Sequence, residues 1–552
     1  MHTERVSSVA VAACLALALS SAGCGGSRPA SRGPAPLFDD LGDHHHEITT
    51  DSPETQGYFD QGLTLTYGFN HAEAIRSFRA GAALDPACAM CYWGVAYALG
   101  PNINAPMGGK AAVEAFAALH KALELAPAAS EREQAYIEAL SARYAPFPAD
   151  DRTELDLAYA EAMRDVADRY PDDLDAVTLY AEALMDTTPW DYWQADGKPR
   201  PATAEVLTAL ESVLERDPYH PGANHYYIHA IEASPEPERA EAAADRLGGI
   251  APGAGHLVHM PAHIYLRVGR YADASEVNIL AAAADESYIT QCNVQGFYPA
   301  LYYPHNIHFL WYTASIEGRS ELALDSARRL ARSVTDEQVR MFPEIEWYRP
   351  VPTFTYARFA MWDRILTEPA PPEDFLYSTA VWHYARGIAH ASRGELERAE
   401  EELAALDAIL TSDEMQGYET APGQPPVAEL TDIAHHLLMS EVARLSGHDD
   451  RALVELESAV AVQDNLPYME PPYWYYPARQ SLGALYLRLG RPADAERAYR
   501  DDLDAHPDNG WSLFGLMQAL DAQDRDAEAA AVRERFEKAW ALADVRLGAT
   551  RP

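Results

Sequence analysis

The sequence predicts an all-α protein, a solenoid of stacked helix-turn-helix units. Two observations carry that prediction. A glycine followed five residues later by an alanine recurs after apolar helical stretches, at Gly269/Ala274, Gly318/Ala323, Gly394/Ala399, Gly447/Ala452 and Gly490/Ala495. No segment shows sustained apolar-polar alternation with hairpin signals, so sheets are unsupported. Each glycine falls where one helix turns into the next and a residue able to take φ > 0 is useful. Each alanine falls where the second helix must pack closely on the first. Successive glycines are 49, 76, 53 and 43 residues apart, so insertions or degenerate copies separate the clear units.

The best full copy runs from Tyr476 to Pro507, with Leu482, Gly483, Tyr486, Gly490, Ala495, Tyr499 and Pro507; another ends at Pro86, with Tyr58, Gly62, Ala74 and Phe78. These spacings resemble the tetratricopeptide (TPR) family, whose units span about 34 residues. The resemblance implies a right-handed superhelical solenoid, since one unit cannot bury its apolar face alone. Further stretches resemble a functionally uncharacterised group of bacterial TPR proteins. They are Tyr58–Leu63, Phe69-Asn70-His71, Cys88-Ala89-Met90-Cys91-Tyr92-Trp93-Gly94, Gly100-Pro101-Asn102-Ile103-Asn104, His259-Met260-Pro261-Ala262-His263-Ile264 and Glu470–Pro477. That likeness implies a fold and lends no activity.

The chain has 552 residues, of which 48% are hydrophobic, enough for a packed core. A net charge of -41 repels phosphate backbones, so nucleic acid is not an expected partner. The start reads as a leader: the apolar run from Val9 to Leu19 is too short to span a bilayer and fits a secretory signal. Ser21-Ala22-Gly23-Cys24 resembles a bacterial lipobox, which implies lipidation of Cys24 and makes the membrane a partner only through that anchor. Ser21 stands where the usual leucine would be. Gly25 follows Cys24 in place of the aspartate that resembles an inner-membrane retention signal. The expected location is therefore extracytoplasmic, on the outer membrane of a Gram-negative cell. The expected organisation is a signal peptide over 1–24, a flexible linker over 25–50, a repeat array over 51–335, an aromatic and Pro-rich insertion over 336–376, and a second array over 377–545.

Histidines supply the candidate site. His225 and His229 are four apart, as are His259 and His263, and the two pairs are offset by 34 residues. Each pair shares a helix face. Counting back from Gly269 and Gly318 puts His256, His259, His263, His305 and His308 on the same arc of the first helix of their repeats, with Glu232 one turn beyond His229. In TPR proteins that arc lines the concave groove, so a protein, peptide or small ligand is expected there. Imidazoles with a carboxylate suit Zn, Cu or Fe, making His225, His229, His259, His263, His305 and His308 candidate metal ligands. Polar contacts to an anionic peptide and packing between helices are equally open readings. Tyr226, Tyr227, Tyr265 and Tyr312 add a candidate aromatic wall.

Weaker signals have plainer readings. Cys88 and Cys91 read as a structural disulfide or buried thiols, since no second pair completes a zinc pattern. His44-His45-His46 reads as a mobile surface run. Residues Gly100–Pro106 read as a loop inserted within a repeat, and Glu470–Tyr476 as an aromatic belt between repeats. No phosphate loop, nucleophile elbow or H-E-x-x-H is present in the sequence. The expected function is a membrane-tethered binding scaffold; the alternative is a metal-dependent hydrolase or oxidoreductase using the same histidines.

Overall fold

A computed structural model describes residues 35–194, 196–292, 297–417 and 425–550. The signal peptide and Cys24 lie outside the described residues. The chain is all-α, built of TPR-type helix-turn-helix units; among the described residues no strand occurs, only two isolated bridges. No helix among them is long and apolar enough to cross a membrane.

The hairpins form as the glycine-alanine pattern requires. Gly269, Gly318, Gly394, Gly447 and Gly490 all have φ between 70° and 81°. Their paired alanines, Ala274, Ala323, Ala399, Ala452 and Ala495, are wholly buried against the preceding helix. In the first hairpin, Ser52 caps helix Pro53–Tyr67 by accepting from Thr55 N–H, with Pro53 at the first position. Helix His71–Leu84 returns beneath it, and Phe78 lies so close that a Cβ on Gly62 would meet its ring at 2.5 Å. Only glycine lets the two helices approach that far.

The described residues fall into two compact units. One comprises those within Met1–Ile264 and Ile279–Tyr303; the other, those within Tyr265–Asn278 and Pro304–Pro552. This division differs from the expected arrays over 51–335 and 377–545. In the second unit, 336–376 is a working part of the core. It folds as short helices Asp336–Met341, Val351–Arg358 and Trp362–Thr367. Phe354 stacks on Tyr475 at 4.5 Å, and Thr355 accepts from Trp311 Nε1 at 2.7 Å. Arg358 is buried with its guanidinium 3.6 Å above the Trp511 ring. Tyr473, Trp474, Tyr475 and Tyr476 are buried, so the aromatic belt belongs to the interior.

In the first unit, Cys88 and Cys91 form a disulfide. Residues Asn102–Ala105 close a tight turn in which Asn102 Oδ1 accepts from Asn104 N–H. Residues 35–50 lack regular structure, yet their described part is not a loose linker. Tyr58 donates to the Ala35 carbonyl at 2.8 Å, Gln61 accepts from Phe38 N–H at 2.8 Å, and Glu133 accepts from Thr49 N–H at 2.6 Å. Leu41, His46 and Ile48 are buried.

Candidate metal centre

Five histidines and a glutamate of the first unit converge. Helix Pro221–Ile231 carries His225 and His229 one turn apart. Helix Gly255–His259 carries His256 and His259, and His263 follows on Pro261–Arg267. Their rings form an unbroken series. Centroids lie 4.8 Å apart for His225 and His229, 4.9 Å for His225 and His256, 5.9 Å for His229 and His263, 6.0 Å for His256 and His259, and 4.9 Å for His259 and His263.

Hydrogen bonding fixes which nitrogen faces inward. His225 Nδ1 is 2.5 Å from the Tyr67 carbonyl oxygen, which can only accept, so the proton sits on Nδ1. The neutral ring then presents its lone pair on Nε2, 3.2 Å from His256 Nε2. His229 Nδ1 donates to Glu232 Oε1 at 2.9 Å, and His229 Nε2 has no hydrogen-bond partner among the described residues. Glu232 Oε2 pairs with His263 Nδ1 as an ion-pair contact, and His263 Nε2 lies 3.0 Å from His259 Nε2. One carboxylate thus orients two imidazoles by their outer nitrogens, the arrangement that aligns histidine ligands on a metal.

Burial favours the neutral ring at His225 and His229. Burial, reinforced by the charge of His229, holds His225 well below the usual histidine range, and burial lowers His229 despite Glu232. Burial would raise Glu232, but His263 and His229 outweigh it and hold the carboxyl at about 2. Neutral imidazole is the form that binds metal. One nitrogen from each of His225, His229 and His256 lies within 4.8 Å of the others. A tetrahedral ion at ~2.1 Å from each would place them ~3.4 Å apart, so a modest inward movement completes the set.

The groove expected at these positions is closed. His225, Glu232 and His259 are 0% exposed, and His229, His256 and His263 no more than 5%. Aromatic rings remote in sequence do the covering: Phe69 sits 4.6 Å from His225, Tyr302 4.6 Å from His256 and Trp190 5.2 Å from His229. Phe69 and Trp190 have φ of 54° and 63°, left-handed conformations that bulky residues avoid. Tyr226 and Tyr227 are buried too, as are Tyr265 and Tyr312 in the second unit, so none forms an exposed aromatic wall.

His305 and His308 belong to helix Phe297–Ile316, in its part within the second unit. His305 packs 5.1 Å from Phe309. His308 lies among Trp311, Trp347 and Tyr348, and burial lowers it to about 3. His308 Nδ1 is buried without a hydrogen-bond partner, its ring held by aromatic packing.

Sequence reasoning missed a second convergence. Buried Asp175 receives His44 Nε2 at 3.0 Å, His220 Nε2 at 3.2 Å and the Tyr67 hydroxyl at 2.5 Å on Oδ1, and His46 Nδ1 at 2.8 Å on Oδ2. The His44–His46 run is therefore pinned, with only the His45 side chain, 57% exposed, turned outward to Asp60. Alternation in extended chain is the signal that was available.

No family model matches this chain, and no curated protein does. Solved structures are similar at low identity. A human IFIT1 dimer with m7Gppp-AAAA is 14% identical, with 89% of this chain and 91% of that chain covered at a TM-score of 0.31. The APC/C hetero-tetramer Cut9-Hcn1 is 12% identical, with 88% of each chain covered at 0.27. Yeast Tom70 is 11% identical, with 89% and 92% covered at 0.26. At these values the likeness carries no inference about ligand or partner.

Proposed function

We propose that this chain is a lipid-anchored, extracytoplasmic helical-repeat scaffold that holds a transition-metal ion, Zn, Cu or Fe, inside its first unit. His225, His229 and His256 would be the ligands through Nε2, with Glu232 and the Tyr67 carbonyl fixing His229 and His225 from behind. The observation that carries this reading is His229 Nε2: buried, deprotonated by the bond its Nδ1 makes, without a hydrogen-bond partner, and grouped with two further imidazoles. The hydrogen bond between His225 and His256 does not reach His229 Nε2, and a bare buried acceptor is costly. The repeats outside the centre supply extended helical surface of the kind that binds a protein, peptide or small ligand.

The second reading, a metal-dependent enzyme, rests on the same residues. Three imidazoles fill three of four tetrahedral positions, and the fourth is where water binds in catalytic zinc sites.

Elemental analysis of full-length protein after metal loading and dialysis tests the centre. His229→Gln should release one equivalent of metal, whereas His308→Gln should release none. Less than about a tenth of an equivalent in the parent, or full retention in His229→Gln, overturns the assignment. An activity screen of the loaded protein against His229→Gln then separates scaffold from enzyme. Cys24→Ala should move the protein from the membrane fraction to the soluble fraction; continued membrane association counts against the anchor.

A further inference from the structure

A second buried imidazole repeats the chemistry of the first centre, and it lies at a cavity. The cavity, about 1020 Å³, is walled by residues 43–47, 172–175, 217–220 and 245–250 with Arg132. Its lining holds seven Asp or Glu residues against two arginines. Acidity alone makes no site. His46 does more: its side chain is 5% exposed, it lines the cavity, and its Nε2 has no hydrogen-bond partner.

Its tautomer is set from behind. Asp175 Oδ2 accepts from His46 Nδ1 at 2.8 Å, and the same carboxylate is held through Oδ1 by Tyr67, His44 and His220. His46 is thus oriented by a carboxylate as His229 is by Glu232, with Nε2 as the ligating atom. His220 is not a ligand here. Its Nδ1 accepts from Ala223 N–H, so its Nε2 must carry the proton that Asp175 receives. The partner to His46 is Asp173. Its Oδ1 caps helix Leu174–Asp186 by accepting from Ala176 N–H, while Oδ2 lacks a hydrogen bond and faces Arg132 Nε at 3.7 Å. One nitrogen of His46 and one oxygen from each of Asp173 and Asp175 lie within 4.8 Å of one another.

We infer that His46 Nε2 and Asp173 Oδ2 form a second, cavity-facing site for a divalent cation of the Zn²⁺ or Mn²⁺ class, with Asp175 as the carboxylate that orients His46. One imidazole and one carboxylate leave the other coordination positions to water, which the cavity admits. The site is therefore exchangeable, unlike the enclosed histidine centre.

Zn²⁺ titration of metal-depleted, full-length protein by calorimetry and equilibrium dialysis tests this, in the parent and in a His229→Gln background that removes the enclosed centre. In both, His46→Gln and Asp173→Asn should each abolish one weaker, chelator-exchangeable equivalent. Asparagine caps a helix as well as aspartate does, so Asp173→Asn keeps its helix and circular dichroism verifies the fold. His45→Gln, altering an exposed ring, should leave binding unchanged. If His46→Gln and Asp173→Asn bind as many Zn²⁺ ions as tightly as their backgrounds do, the second site does not exist. Loss from the His229→Gln background alone leaves it standing and strikes only the enclosed one.

Discussion

Gly222→Ala perturbs both histidine clusters through one ring. Gly222 opens helix Pro221–Ile231, and a Cβ there would stand 2.5 Å from Tyr67 Cδ1 and 2.6 Å from Cε1. Ordinary contact needs roughly 3.5–4.0 Å, so the Tyr67 ring or the helix must yield by about 1 Å. Neither can do so cheaply. Tyr67 is 0% exposed, its hydroxyl is held by Asp175 and its carbonyl accepts from His225. Overpacking costs about 1–3 kcal/mol, and the helical preference of alanine over glycine returns about 0.5–1. The net loss should be about 0–2.5 kcal/mol, read by denaturant unfolding. In a Tyr67→Ala background the clash is gone, and Gly222→Ala should become neutral or stabilising. An equal loss in the Tyr67→Ala background would refute the packing proposed here.

Arg143, 1% exposed, donates to Asp186 and to the Pro101 carbonyl at 2.9 Å and lies 4.6 Å over the Tyr159 ring. Arg143→Met leaves Asp186 buried without its cation and should cost about 3–5 kcal/mol in denaturant unfolding, with Asp186→Asn restoring part of it. His308 should govern acid stability. Its folded value, about 3, lies below the ordinary 6.5, so its contribution is complete above 6.5 and lost as pH falls below it. Between pH 7 and 5 the loss is about 2 kcal/mol, and His308→Gln should abolish that part of the pH dependence. Gly490 has φ of 70° and nothing within 4 Å of an added Cβ. Gly490→Ala should therefore cost only backbone strain, about 1 kcal/mol, with Gly490→Asn milder; equilibrium unfolding checks both.

The repeat was legible because its signal is local. A glycine at a hairpin and an alanine five residues on meet the same two demands wherever they recur, and all five pairs adopt the expected geometry. Convergence of His225, His229, His256, His259 and His263 was legible for the same reason: a 34-residue offset brings equivalent helix positions together. Their exposure was not legible. Phe69 and Trp190 cover the histidines from turns far away in sequence, and nothing in repeat phase says which turn reaches across. Residues 35–50 misled for a related reason. Composition describes what a segment does alone, whereas the anchors Asp60, Gln61, Glu133 and Asp175 lie on helices that repeat phase does not link to it.

The two clusters are mechanically joined. His220 accepts from Ala223 to start the helix that carries His225 and His229, and its other nitrogen binds Asp175, which orients His46. Tyr67 makes a second link, its hydroxyl on Asp175 and its carbonyl on His225. Both links run through Asp175 and not through the nitrogens proposed to bind cations. Occupancy at one site should therefore alter affinity at the other only by shifting Asp175 or the start of that helix. Tyr67→Phe cuts one link while sparing both proposed ligand sets. It should reduce any dependence of Zn²⁺ affinity at His46 on occupancy of the His229 centre, without removing either equivalent. Loss of an equivalent in Tyr67→Phe would mean that the tyrosine hydroxyl, not the histidine tautomers, organises these sites.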